Sequence, residues 1–137
     1  MMHIEHVALW TRDLERLKAF YATYFGAQVG PRYVNPAKGF TSYFLTFASG
    51  ARLELMQAPD VSDRPPDERG PWAGYAHLAV CVGSQARVEA LTARLRRDGY
   101  RVLDGPRWTG DGYYESRVLD PDGNPVEITL CSEAGEA

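Results

Sequence analysis

Asp120-Pro121-Asp122-Gly123-Asn124-Pro125-Val126-Glu127-Ile128-Thr129-Leu130 reads as a tight turn running into a strand. Asp, Pro and Gly provide the turn chemistry of the first four positions, and an alternating run follows. Successive side chains on a strand point to opposite faces, so Val126, Ile128 and Leu130 share one side and leave Glu127 and Thr129 on the other. A carboxylate therefore stands on the face turned away from the apolar layer. Counting back 73 residues from Gly123 and from Glu127 reaches Gly50 and Glu54. The same alternation recurs there, with Leu53 and Leu55 opposed to Arg52, Glu54 and Met56. Gly99 and Gly26 are also 73 apart, and His77 and His6 are 71 apart. Residues in one register across two halves make an internal repeat an architectural claim.

Working outward, Ile4 to Trp10 is a short apolar strand whose Val7 and Leu9 oppose His6, Ala8 and Trp10. Thr11-Arg12-Asp13 can cap a helix whose buried stripe is Leu14, Leu17, Tyr21 and Tyr24, with Gly26 as its stop. Residues 27–33 predict one short strand, and the runs 41–47 and 51–57 flank Ser49-Gly50 as a hairpin. The second half repeats the order. A strand is predicted over 75–82, with Leu78, Val80 and Val82 opposed to Tyr75, His77, Ala79 and Cys81. Ser84 caps a helix burying Val88, Leu91 and Leu95, and Arg94, Arg96 and Arg97 oppose the helix dipole in its last turn before Gly99. Strands over 101–104, 113–119 and 126–130 follow. The expected fold class is α+β: two βαβββ modules, residues 3–57 and 75–131, forming a curved cup of mixed sheet. The Pro-, Gly- and charge-rich loop 58–74 joins them within one domain spanning 1–137 and is the expected mobile segment. Residues 131–137 read as a frayed tail.

A chain of 137 residues can bury one core, whereas either half alone would be marginal. A formal charge of −3 gives no electrostatic reason to bind nucleic acid or an anionic membrane, which leaves a small molecule as the expected partner. No apolar run reaches membrane-span length and no signal peptide is evident, so the expected location is the cytoplasm. Cys81 and Cys131 lack a disulfide or metal-type spacing and are expected as separate thiols, Cys81 as a small filler on the polar face.

Two imidazoles and two carboxylates, His6, Glu54, His77 and Glu127, suit a divalent ion such as Ni, Co, Zn, Mn or Fe(II). One histidine alone would read as a core residue bonded to backbone, and one glutamate alone as a solvated strand carboxylate. Their pairing in both halves is what favours ligation. Such an ion polarises a carbonyl oxygen and makes proton transfer at the neighbouring carbon accessible. Glu127 or Glu54 would be the base. Trp10, Arg52, Met56 and Tyr75 share the ligand face and are candidates for substrate contact, or else plain core.

The segments His6-Val7-Ala8-Leu9, Leu53-Glu54-Leu55-Met56, His77-Leu78-Ala79-Val80 and 120–127 resemble the vicinal oxygen chelate superfamily, also called the glyoxalase, bleomycin-resistance and extradiol-dioxygenase superfamily. The resemblance covers nearly the whole chain, and 120–127 is its most specific signature. It implies paired βαβββ modules, a divalent metal, and a homodimer in which His6 and Glu54 of one chain meet His77 and Glu127 of the other. The His, Glu, His, Glu set resembles glyoxalase I, the lactoylglutathione lyases, which implies an isomerase or lyase acting on a hemithioacetal or similar α-hydroxycarbonyl compound. Two positions depart. Where glyoxalase I carries an arginine and an asparagine that help bind the glutathione carboxylates, this chain has Trp10 and Ala58, which points to a less anionic or differently shaped substrate. The alternatives are another enzyme of the superfamily, such as an epimerase, thiol transferase or dioxygenase, or a metal-free protein that binds a drug or metabolite.

Overall fold

The alternation along 52–57 and 125–130 builds two mixed sheets, each with a helix on its apolar side. A computed structural model of the chain describes residues 1–63 and 71–131. The chain divides into two compact units, Met1–Pro66 and Asp67–Ala137. The class is α+β, as the sequence implied.

In the first unit the order is β1 (His6–Trp10), α1 (Leu14–Phe25), β2 (Gln28–Val29), β3 (Tyr33–Asn35), β4 (Phe40–Thr46) and β5 (Arg52–Gln57). The sheet runs β1-β5-β4-β2, with β3 also paired to β4. β1 lies parallel to β5, His6 beside Arg52 and Ala8 beside Glu54, while β4 is antiparallel to β5. The Asp13 carboxylate accepts the Arg16 N–H at 3.1 Å, occupying one of the donors a helix start leaves open, and Gly26 closes α1 at a φ of 66°. Leu14, Leu17, Phe20 and Tyr21 of α1 are buried together with Tyr43, Leu45, Leu53 and Leu55 of the sheet. Phe20 thus takes the place expected for Tyr24, which is only half-buried.

The strand expected over 27–33 is instead two. Gly30 donates its N–H to Phe44 O at 2.9 Å, and Pro31, with no N–H of its own, ends the ladder before β3 resumes at Tyr33. The first module accordingly carries five strands rather than four.

The second unit follows the expected βαβββ order: β6 (Leu78–Gly83), α2 (Gln85–Arg97), β7 (Val102–Trp108), β8 (Tyr114–Leu119) and β9 (Pro125–Leu130). Its sheet runs β6-β9-β8-β7, β6 parallel to β9 and the other pairs antiparallel. Ser84 Oγ accepts the Arg87 N–H at 3.2 Å. Val88, Thr92 and Leu95 form the buried stripe, Thr92 replacing the expected Leu91. Thr92 is tolerated inside because its hydroxyl donates to Val88 O at 2.6 Å and meets Ser116 Oγ at 2.6 Å.

Three boundaries move. β6 begins at Leu78, so Tyr75 and His77 precede the strand; β7 continues to Trp108, well past Asp104; and β8 begins at Tyr114. The signature turn owes its shape to Asp120. This buried carboxylate accepts the N–H groups of Asp122 and Asn124, both at 2.9 Å, and the Asn124 amide at 2.9 Å. Satisfied in this way, it fixes where β9 starts and therefore where Glu127 stands.

Cys81 and Cys131 correct the expectation of separate thiols. Cys131 donates its N–H to Gly83 O at 3.2 Å, and the two sulfurs meet with Cα atoms 5.6 Å apart, a spacing that a disulfide spans. Of the expected loop and tail, residues 64–70 and 132–137 lie outside the described residues; 58–63 and 71–77 form neither helix nor strand. Among the described residues no helix is long and apolar enough to cross a membrane.

Candidate functional site

On the face of the first sheet opposite α1, β1 presents His6 and β5 presents Glu54, two positions beyond the partner of His6 and so on the same face. His6 Nε2 lies 3.7 Å from Glu54 Oε1. The other ring nitrogen, Nδ1, faces Glu5 Oε1 at 3.3 Å. Glu5 in turn accepts from Arg52 Nε at 3.0 and 3.2 Å on its two oxygens, and the Arg52 guanidinium holds its carboxyl below the usual range. A carboxylate against Nδ1 favours the tautomer whose Nε2 lone pair is open to a ligand, the arrangement common behind metal-bound histidines. Glu5 was not legible as a site residue. It stands just before β1, where the Arg52 N–H bonds to Glu5 O at 2.9 Å, and the strand alternation gives no signal for it.

The second unit presents the matching pair more tightly, with His77 Nε2 2.8 Å from Glu127 Oε1. Cis ligands on an ion with bonds of about 2.0–2.2 Å sit about 3 Å apart, so each pair by itself has a spacing that suits two cis positions on a divalent ion with small side-chain adjustment. Among the described residues no three His, Cys, Asp or Glu side chains gather into a metal-binding group. The donors come as two pairs, one per unit.

Beside Glu127 stands a residue missed at the sequence level. Glu115, half-buried on β8, hydrogen-bonds to Glu127, and its pKa is pushed up to about 7, first by burial, then by that bond and the repulsion of Glu127, with a smaller push from Asp111 and a small opposing pull from His77. β7 crosses β8 closely here: Gly105, at a φ of 77°, approaches Glu115 O so nearly that a Cβ would sit 2.5 Å from it. The parity of Tyr114, Ser116 and Val118, all buried, places Glu115 and Arg117 on the face of Glu127, and that alternation is the mark the sequence carries for it.

The four substrate candidates separate. Arg52 lines a cavity of about 670 Å³ on the ligand face of the first unit, where Glu54 also contributes to the wall. Its guanidinium carbon lies 4.0 Å from the centre of the Phe44 ring. Trp10, 54% exposed, stacks edge-on with Phe40 at 6.2 Å, next to the cavity but outside its lining. Met56 lies opposite Ser42 across β5 and β4. Tyr75 is fully exposed on the segment before β6.

With this geometry in view, the comparisons with known proteins are specific. A sequence profile of the Glyoxalase/Bleomycin resistance protein/Dioxygenase superfamily matches residues 3–128. The chain is 32% identical over 129 residues to the uncharacterized protein YwkD of Bacillus subtilis (strain 168), covering 91% of this chain and 94% of that one. Among solved structures it is similar to a glyoxalase family protein from Enterococcus faecalis, with a TM-score of 0.72 and 26% identity across 92% of this chain and 95% of the other. It is also similar to the trypanothione-dependent glyoxalase I of Leishmania major, with a TM-score of 0.75 and 25% identity over 95% and 87% of the two chains.

Proposed function

Because the chain belongs to the Glyoxalase/Bleomycin resistance protein/Dioxygenase superfamily, we propose that it is a metal-dependent isomerase or lyase of the glyoxalase I kind. Its substrate is a hemithioacetal or similar small α-hydroxycarbonyl compound. The observation that carries this reading is the doubled pair: His6 Nε2 3.7 Å from Glu54 and His77 Nε2 2.8 Å from Glu127, each on the sheet face turned from its helix.

In this reading the two modules act as one domain, and His6, Glu54, His77 and Glu127 hold one divalent ion, Ni, Co or Zn before Mn or Fe. The ion's contribution when bound is to polarise the substrate carbonyl. The chain's own residues do the rest. Glu127 takes a proton from the carbon beside the carbonyl and returns it to the neighbouring carbon, a transfer that needs a carboxylate within about 3 Å and a short, directed path. Glu54 is the second candidate for that proton, since the repeat gives it an equivalent place. The Glu5 contact holds the His6 ring, and the Glu115 bond holds one side of Glu127, so neither ligand needs to reorient during turnover. The assembly is a homodimer in which modules of two chains complete each centre.

Titration of Ni, Co, Zn and Mn into chelator-stripped protein tests the reading, with Glu127→Gln and His77→Ala as controls. About one ion per chain, lost or strongly weakened in both variants, followed by conversion of a hemithioacetal, is the expected result. A second reading, a metal-free binding protein, is favoured by the cavity beside Glu54, which is lined largely by apolar side chains. Specific ligand uptake without metal binding would decide for it.

A further inference from the structure

The cavity of the first module is built by one face of β4, by β5 and by the 28–33 segment. Phe40, Ser42, Phe44 and Thr46 alternate along β4 toward it, while Tyr43 and Leu45 turn to the buried side. The β2/β3 break adds Val29, Pro31 and Tyr33 as a second, apolar wall. Tyr33 is 55% exposed and Val29 40%, apolar surface that a ligand would take out of water. The polar side chains are Gln28, Ser42, Thr46, Arg52 and Glu54. Ser42, 2% exposed, offers one hydroxyl, and Glu54 offers a carboxylate. Arg52 brings the remaining charge, but it is committed to Glu5 on both carboxylate oxygens and lies over the Phe44 ring. An anionic ligand would find that cation already neutralised and Glu54 opposing it.

We infer that this cavity takes the neutral aryl or branched-alkyl group of the substrate, holding it against Phe44, Phe40 and Tyr33 with its oxygenated end toward Ser42 and Glu54. The substrate class is therefore an uncharged, apolar-substituted α-hydroxycarbonyl compound. The inference rests on the proposed reading only in taking Glu54 as part of the reacting centre; the apolar binding is a property of the cavity itself. A volume of about 670 Å³ exceeds what a methyl-bearing three-carbon substrate fills and has room for a ring with its substituents.

The test is calorimetric titration of the full chain, with and without added Zn, using 2-hydroxyacetophenone, hydroxyacetone and mandelate as probes. The aryl ketone is expected to bind at least tenfold more tightly than hydroxyacetone, which differs by the ring, and at least tenfold more tightly than mandelate, which keeps the ring but adds a carboxylate. Phe44→Ala is expected to weaken the aryl ketone fivefold or more. Tyr33→Ala, a change at a half-exposed side chain that leaves the core intact, is expected to weaken it two- to fivefold, with hydroxyacetone unaffected by either. Equal binding of the two ketones, tighter binding of mandelate, or an aryl affinity unmoved in Tyr33→Ala would overturn the inference. Aryl preference without any metal uptake would uphold the cavity assignment and sink the lyase reading; metal uptake with no aryl preference would do the reverse.

Discussion

The two modules share a frame and differ in what they mount on it. Each lays one helix over a mixed sheet, each opens its central pairing with a parallel strand, and each presents a histidine against a glutamate on the far face. Around those pairs the neighbours diverge. On β4 the positions flanking the site are Ser42 and Phe44; 73 residues on, the equivalent β8 positions are Glu115 and Arg117. One module surrounds its carboxylate with aromatic surface and a cavity, the other with charge and a second carboxyl. Behind the sheets the contrast inverts. The first core is filled by Phe20, Tyr21 and Tyr43, where the second buries the hydrogen-bonded Thr92 and Ser116. The repeat thus preserves the His and Glu pairs, and on the proposed reading divergence would give apolar recognition to the first module and control of a proton to the second.

The largest test of that division is whether the donor pairs are equivalent. Replacing His6 by Ala and replacing His77 by Ala should each weaken divalent-metal binding by 100-fold or more, read by competition with a chromophoric chelator. If one variant keeps the affinity of the parent, the ion belongs to one module and the symmetry of the site is lost. A second test is the buried pair behind the second sheet. Ser116→Ala strands the Thr92 hydroxyl only in part, since it still donates to Val88 O, and should cost about 1 kcal/mol. Thr92→Val with Ser116→Ala removes both partners and should cost no more than the single change. Denaturant melts of the three variants measure the coupling. A double variant far less stable than the sum of singles would mean that the pair holds more than one hydrogen bond's worth of structure.

Glu115 sharpens the comparison through pH. Its folded pKa of about 7 lies above the ordinary carboxyl value of 4.5. Below 4.5 the group is protonated folded and unfolded alike. Between the two values the folded chain binds the extra proton, so stability falls as pH rises, and beyond about 7 the full penalty, on the order of 2 kcal/mol, persists. Glu115→Gln keeps the size and a donor toward Glu127 but does not titrate. Melting temperatures of metal-free parent and variant should converge near pH 4.5 and separate by pH 8, the variant being the more stable. Parallel curves would show that neither burial nor Glu127 raises the pKa of Glu115 in the folded chain.

Much of this architecture was legible because strands and helices announce their buried faces by period. The alternation in 52–57 and 126–130 placed both glutamates on the correct side, and Asp13, Gly26 and Ser84 marked helix ends with side chains suited to them. What escaped depended on partners distant in sequence. Gly30-Pro31 ends the ladder where Gly30 donates to Phe44 O and Pro31 has no N–H to follow it, a pairing seen only once β4 is alongside. Glu5 and Glu115 become site residues only once β1 lies on β5 and β8 on β9. Cys81 meets Cys131 because β6 lies parallel to β9 with Cys81 beside Thr129, a pairing that sequence spacing alone does not encode.

The smallest expected effect concerns the helix starts, where the two modules use different caps for one task. Asp13 accepts the Arg16 N–H at 3.1 Å, and its charge also opposes the positive end of α1, whereas Ser84 accepts the Arg87 N–H at 3.2 Å as a neutral group. Alanine at either position leaves one N–H without its partner and should cost about 1 kcal/mol, Asp13→Ala slightly more than Ser84→Ala. α1 has a second tie at this end, since Leu14 donates its N–H to Gln57 Oε1 at 3.0 Å, so losing Asp13 cannot free the whole first turn. The excess cost of Asp13→Ala should therefore be electrostatic and should shrink in high salt, where the helix dipole is screened. Melting both variants at low and high ionic strength separates the two contributions: a difference that survives high salt would assign the asymmetry to hydrogen-bond geometry rather than to charge.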